Sequence, residues 1–60
     1  MMVHLTIWFK GQPSYEYQAD REAALGFARA VHAAGIADIR IDNNLRDGLR
    51  QLPCERLWFI

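Results

Sequence analysis

The stretch that most limits the possible folds is residues 20–35, which read as one amphipathic helix carrying its own start and stop. Asp20 can accept hydrogen bonds from the free N–H groups of a first turn, and Glu22 adds favourable negative charge there. Gly35 can adopt the left-handed backbone that closes a helix. At about 100° per residue, Ala24, Phe27, Ala28 and Val31 share one face, while Glu22, Gly26, Arg29 and Ala33 fall on the opposite one. A lone helix with one apolar stripe has to bury that stripe against the rest of the chain, and the rest of the chain reads as strands.

Residues 3–10 alternate, with Val3, Leu5, Ile7 and Phe9 pointing one way and His4, Thr6, Trp8 and Lys10 the other. That is the pattern of a half-buried strand. Gly11, Gln12, Pro13 and Ser14 supply a turn, after which Tyr15 and Tyr17 alternate with Glu16 and Gln18. The two strands therefore read as an antiparallel hairpin that feeds the helix through Ala19. Residues 36–42 give a third strand, with Ile39, Ile41 and Ala37 inward and Asp38, Arg40 and Asp42 on the wet face. Residues 43–53 admit two readings: a short helix capped by Asn44 that aligns Leu45, Leu49 and Leu52, or a loop pinned by those leucines. Residues 55–60 read as a last strand, Leu57 and Phe59 alternating with Arg56, Trp58 and Ile60, and the chain stops without a polar tail.

The expected fold is α+β, a single compact domain over residues 1–60. Its layout is β-β-α-β-β with an optional short second helix, and the main helix packs on one face of a small, mainly antiparallel sheet. The expected core is Leu5, Ile7, Phe9, Tyr15, Tyr17, Ala24, Phe27, Ala28, Val31, Ile39, Ile41, Leu57 and Phe59. Strand order does not follow from the pattern.

Size then narrows the function classes. Sixty residues leave no room for a large enclosed active site, and a domain of this length buries only about 60% of the surface its unfolded chain exposes. Small domains recover stability from disulfides, metals or partner chains. Cys54 is the single cysteine, and two histidines with it are too few and too scattered for a zinc site, so no metal or other cofactor is expected and a partner chain is what remains. Hydrophobic residues at 52% with seven basic and seven acidic side chains describe a globular chain without an electrostatic footprint for nucleic acid. No apolar run approaches the roughly 18 residues of a membrane span, and the N-terminus lacks a secretory signal. The lone cysteine fits a cytoplasmic location, with no membrane association expected.

Two surfaces stand out. Alternation puts His4, Thr6, Trp8, Lys10, Arg40, Arg56 and Trp58 on the sheet face away from the helix. Aromatic rings interleaved with cations suit single-stranded nucleic acid, because bases stack on rings and phosphates meet the charges. Glu16, Asp38 and Asp42 share that face and repel phosphate, which favours a protein interface, where tryptophan and arginine are enriched. The second surface is a strip of small residues on the helix, Gly26, Ala30 and Ala33, where a second backbone could approach closely. Chemistry has little to stand on: Cys54 has only Arg56 as a neighbouring cation, His4 and His32 are the only candidate bases, and the acidic residues are dispersed over several elements.

In size and compact α+β layout the whole chain resembles the small proteins that phages encode to block host defence complexes, anti-CRISPR proteins among them. The resemblance matches no individual residue. It implies a small inhibitor that binds a larger protein complex, and the neutral charge implies that blocking works through shape and aromatic contact. The expected function is thus a non-enzymatic protein-binding module, homodimeric, using Trp8, Arg40, Arg56 and Trp58 or the strip of Gly26, Ala30 and Ala33. The alternative is a single-stranded nucleic-acid-binding module using the aromatic and basic sheet face.

Overall fold

A computed structural model describes residues 1–53 of the chain. Its elements are β1 (Met2–Phe9), β2 (Tyr15–Asp20), α1 (Arg21–Ala34), β3 (Ala37–Asp42) and β4 (Arg50–Gln51). The helix keeps the expected ends. Asp20 caps it by accepting a hydrogen bond from the Glu22 backbone N–H at 3.1 Å. Gly35 closes it in the left-handed region at φ 66°, where its N–H reaches the carbonyls of Val31 and His32. The hairpin turn is equally local: the Gln12 N–H donates to the Phe9 carbonyl, and Gly11 holds the positive φ of 78° that a type II turn needs at its third residue.

The four strands lie in the order β3-β1-β2-β4. Strand β1 is central, antiparallel to β2 through pairs such as Leu5 with Tyr17, and antiparallel to β3 through pairs such as Leu5 with Ile41. Since β2 and β3 both oppose β1, they run parallel to each other, and α1 is the crossover that joins them over one face of the sheet. Strand β4 adds parallel to β2, with Arg50 beside Tyr17 and Gln51 beside Gln18. The sheet is therefore mixed, with β1 antiparallel to both its neighbours and β4 parallel to β2.

Val3, Leu5, Ala19, Ala24 and Leu52 form the buried core between sheet and helix, with Tyr17, Phe27 and Ile41 packed against it. Leu5 and Ile7 are the largest side chains with essentially no exposure. Phe9 and Ala28 are half-buried, while Tyr15, expected inside, is exposed and meets Phe9 edge to face at 6.0 Å. Residues 43–49 form no helix. Leu49 and Leu52 are buried and Leu45 is exposed, so the loop reading holds with two of its three leucine pins. The expected strand at 55–60, with core positions Leu57 and Phe59, lies outside the described residues. Among the described residues no helix is long and apolar enough to cross a membrane.

The loop reading also accounts for the largest departure from the expected pattern. Asp42 and Gln51 sit in the same row across the sheet, through His4 and Gln18. The segment between them must therefore cross the widths of β1 and β2, a distance of about 14 Å at strand spacing. It does so on the face away from α1, because its contacts are with side chains of that face. The Asn44 N–H donates to Asp42, Arg46 donates to Glu16, and the Leu49 carbonyl accepts from Gln18 Nε2 at 2.6 Å. His4 and Thr6, expected to be wet, are consequently buried at 4% and 6% exposure.

Candidate interaction surface on the outer sheet face

His4 stands in the middle of β1 with a carboxylate at each ring nitrogen. Nδ1 is 2.8 Å from Asp42 Oδ1 on β3, and Nε2 is 2.9 Å from Glu16 Oε1 on β2. A neutral imidazole can donate to only one of them; a ring with a proton on each nitrogen serves both. Each carboxylate has a further partner. Arg46 Nη2 donates to Glu16 Oε2 at 2.6 Å, and the Asn44 N–H donates to Asp42 Oδ1 at 2.9 Å. Asp42 Oδ2 is buried and, among the described residues, accepts no hydrogen bond, its ion-pair partner being Arg40 Nε at 3.4 Å.

These contacts hold both carboxyls below their ordinary range. For Glu16 the main cause is the Arg46 hydrogen bond, followed by His4. For Asp42 it is the Asn44 backbone N–H, followed by His4. A chain of polar contacts thus runs from Arg40 through Asp42, His4 and Glu16 to Arg46, tying β3, β1, β2 and the crossing segment together. Both ring nitrogens are thus engaged within the sheet, and His4 ties β1 to the strands on either side of it. The two carboxylates flank the ring on opposite sides and do not converge, and among the described residues no group of three such side chains is arranged to hold a metal ion.

The open part of the same face lies further along β1. Trp8 is 39% exposed and pairs across the sheet with Asp38. The guanidinium of Arg40 sits over its ring at 5.9 Å from the centroid. Beyond the tryptophan, Phe9, Lys10, His32 and Ile36 line an open cleft where α1 turns into β3. Ile36, which the alternation placed at the start of the third strand, lies in the turn just before β3 and is 56% exposed.

Trp8 and Arg40 are therefore brought together as the alternation predicts, whereas Arg56 and Trp58, like Cys54, lie outside the described residues. The helix strip is not one open surface. Gly26, expected on the exposed face, is buried, while Ala30 and Ala33 are exposed. The reason is local: Gly26 has no side chain of its own and forms the floor of a notch walled by Glu22, Leu25 and Arg29. Sequence reasoning missed the structural use of His4. It put His4, Glu16 and Asp42 on one face, and only the pairing of the three strands brings them into contact. Compared with known proteins, the chain matches no family model, no curated protein and no solved structure.

Proposed function

We propose that the chain is a non-enzymatic, homodimeric protein-binding module that meets a larger partner through Trp8, Arg40 and Ile36. The observation that carries this reading is the Trp8 and Arg40 pair, an exposed indole with a guanidinium over it, set beside the exposed Ile36. Such residues dominate protein contacts because a rigid ring and a planar cation bury much surface for little lost freedom. Lys10 and Asp38 at the margin of the cleft supply charges of both signs, as an interface rim does. The reading extends to inhibition of a larger complex, in the manner of the small phage-encoded inhibitors, anti-CRISPR proteins included, that the chain resembles in size and layout.

A second reading, a single-stranded nucleic-acid platform, draws support from Arg40 over Trp8 with Lys10 near by. Against it, Asp38 lies opposite Trp8, and the middle of the face is taken up by His4 and its two carboxylates. Two experiments test the choice. Affinity capture from the native host should recover a protein with the wild type and lose it with a folded Trp8→Ala variant; equal recovery would refute the patch. Fluorescence titration with mixed-sequence single-stranded DNA and RNA at low salt should show no binding. Micromolar binding that weakens steeply with salt and disappears in Trp8→Ala would replace the protein reading with the nucleic-acid one.

A further inference from the structure

Strand β3 ends the sheet, and among the described residues no strand pairs with its outer edge. Among the described residues the opposite edge is the two residues of β4, whereas β3 offers six, with a row of backbone donors and acceptors. Edge strands are commonly protected by charge of one sign. Here the outer-face charges alternate: Asp38, Arg40, Asp42. Alternation makes the edge complementary to itself in some registers and repulsive in others.

For two copies related by a two-fold axis, antiparallel pairing keeps matching faces together only when the axis passes through a residue position. An axis at Arg40 sets Arg40 against its own copy and Asp38 against Asp42, so like charges face each other. An axis at Ile41 relies on Asp42, which already serves His4 and the Asn44 N–H, and extends past the end of the strand to Asn43. An axis at Ile39 sets Asp38 against Arg40 on both sides, with Ile39 against its own copy and Ala37 against Ile41. Asp38 is exposed and, among the described residues, has no ion-pair partner, so it is free for that contact. On the helix side, Ala28 and His32 stand above this edge, lining with Ile39 a cleft that a neighbouring strand would close.

We infer that the outer edge of β3 pairs antiparallel with the same edge of a second copy, about a two-fold axis through Ile39. This rests on the homodimer reading above and names its surface. Sedimentation equilibrium up to hundreds of micromolar tests it, with circular dichroism as the check that each variant is folded. The wild type should dimerise, and Asp38→Arg and Arg40→Asp should each weaken the dimer by about tenfold or more. The D38R/R40D double variant should restore it, because the opposed pairs are complementary again with their signs exchanged. Hydrogen exchange of the wild-type amides at 37–41 should slow as concentration rises, a readout that needs no variant. A dimer indifferent to the single charge changes, or a double variant as weak as the singles, overturns the β3 edge while leaving a homodimer through another surface. A wild type monomeric throughout overturns the self-pairing altogether, and capture through Trp8 then decides by itself whether the chain binds a foreign protein.

Discussion

Leu5→Ala is the sharpest test of how the core is built. Leu5 has no exposed surface, sits in the central strand and belongs to the buried cluster with Val3, Ala19, Ala24 and Leu52. Removing three carbons forfeits about 2.4 kcal/mol of transfer free energy at ~0.8 kcal/mol per methylene. The cavity adds to this, because a site packed from both the strand neighbours and the helix collapses only in part. The total is about 3 to 5 kcal/mol. At ~0.05 to 0.15 kcal/mol per residue, a domain of this length has roughly 3 to 9 kcal/mol of stability in all, so the variant loses between a third and the whole of it. Urea denaturation followed by far-UV circular dichroism reads the loss directly. Leu45→Ala is the control: Leu45 is 46% exposed, and its truncation should change stability by no more than about 0.5 kcal/mol. If Leu5→Ala lies within that same margin of the wild type, the placement of the core between β1 and α1 is wrong.

Three further perturbations probe the features that hold the outer face and the helix end. Glu16 and Asp42 titrate below their ordinary values of 4.5 and 3.8 in the folded chain, so the stability they contribute is fully present above those values. It is lost as pH falls through the lower folded-state values. Urea midpoints measured from pH 6 down to pH 2 should show this acid loss, and Glu16→Gln and Asp42→Asn should each flatten it; an unchanged slope would refute the network's role. Arg46→Ala should change the midpoint at neutral pH only slightly, since its bond to Glu16 is solvent-exposed, but it should weaken the acid loss, because that bond is the main cause of the low Glu16 titration, and speed amide exchange across residues 43–49. Gly35→Ala forces a side chain into the left-handed region and should lower stability by about 1 kcal/mol, read as a shift in thermal midpoint.

What could be read in the sequence was what is decided locally. Asp20 and Gly35 act within one turn of their own positions, and the hairpin is set by a turn whose glycine lies between its strands, so the helix limits and the pairing of β1 with β2 followed from spacing alone. Leu49 and Leu52 were ambiguous for a physical reason: a three-residue apolar spacing suits a helix turn and also a loop that dips twice into a core. Only the pairing of Gln51 with Gln18, more than thirty positions earlier, selects the loop. His4 and Thr6 were misjudged because alternation reports which side a residue points to, and says nothing about whether another segment later covers that side. Gly26 failed in the same way: its direction on the helix was read correctly, but its burial depends on the height of Glu22, Leu25 and Arg29 around it.

Covering the middle of the outer face also bears on where a partner can sit. A sheet face open from end to end would suit an extended ligand laid along it, whether a nucleic-acid strand or a flat protein surface. Here the crossing segment and the His4 network occupy the centre, so the proposed partner would have only the end that carries Trp8, Arg40 and Ile36. That end adjoins β3. If two copies pair about Ile39, each Trp8 stands in one row with its own Asp38 and the partner copy's Arg40. The two aromatic patches then lie on one continuous face either side of the axis, since the two-fold keeps like faces together. Dimerisation and partner binding would be coupled through Arg40, which belongs to the edge and the patch at once. The D38R/R40D double variant exposes that coupling: it should recover the dimer yet still bind the captured protein more weakly than the wild type, because it replaces the guanidinium over Trp8 with a carboxylate. Full recovery of both would place Arg40 outside the patch and leave Trp8 and Ile36 as its substance.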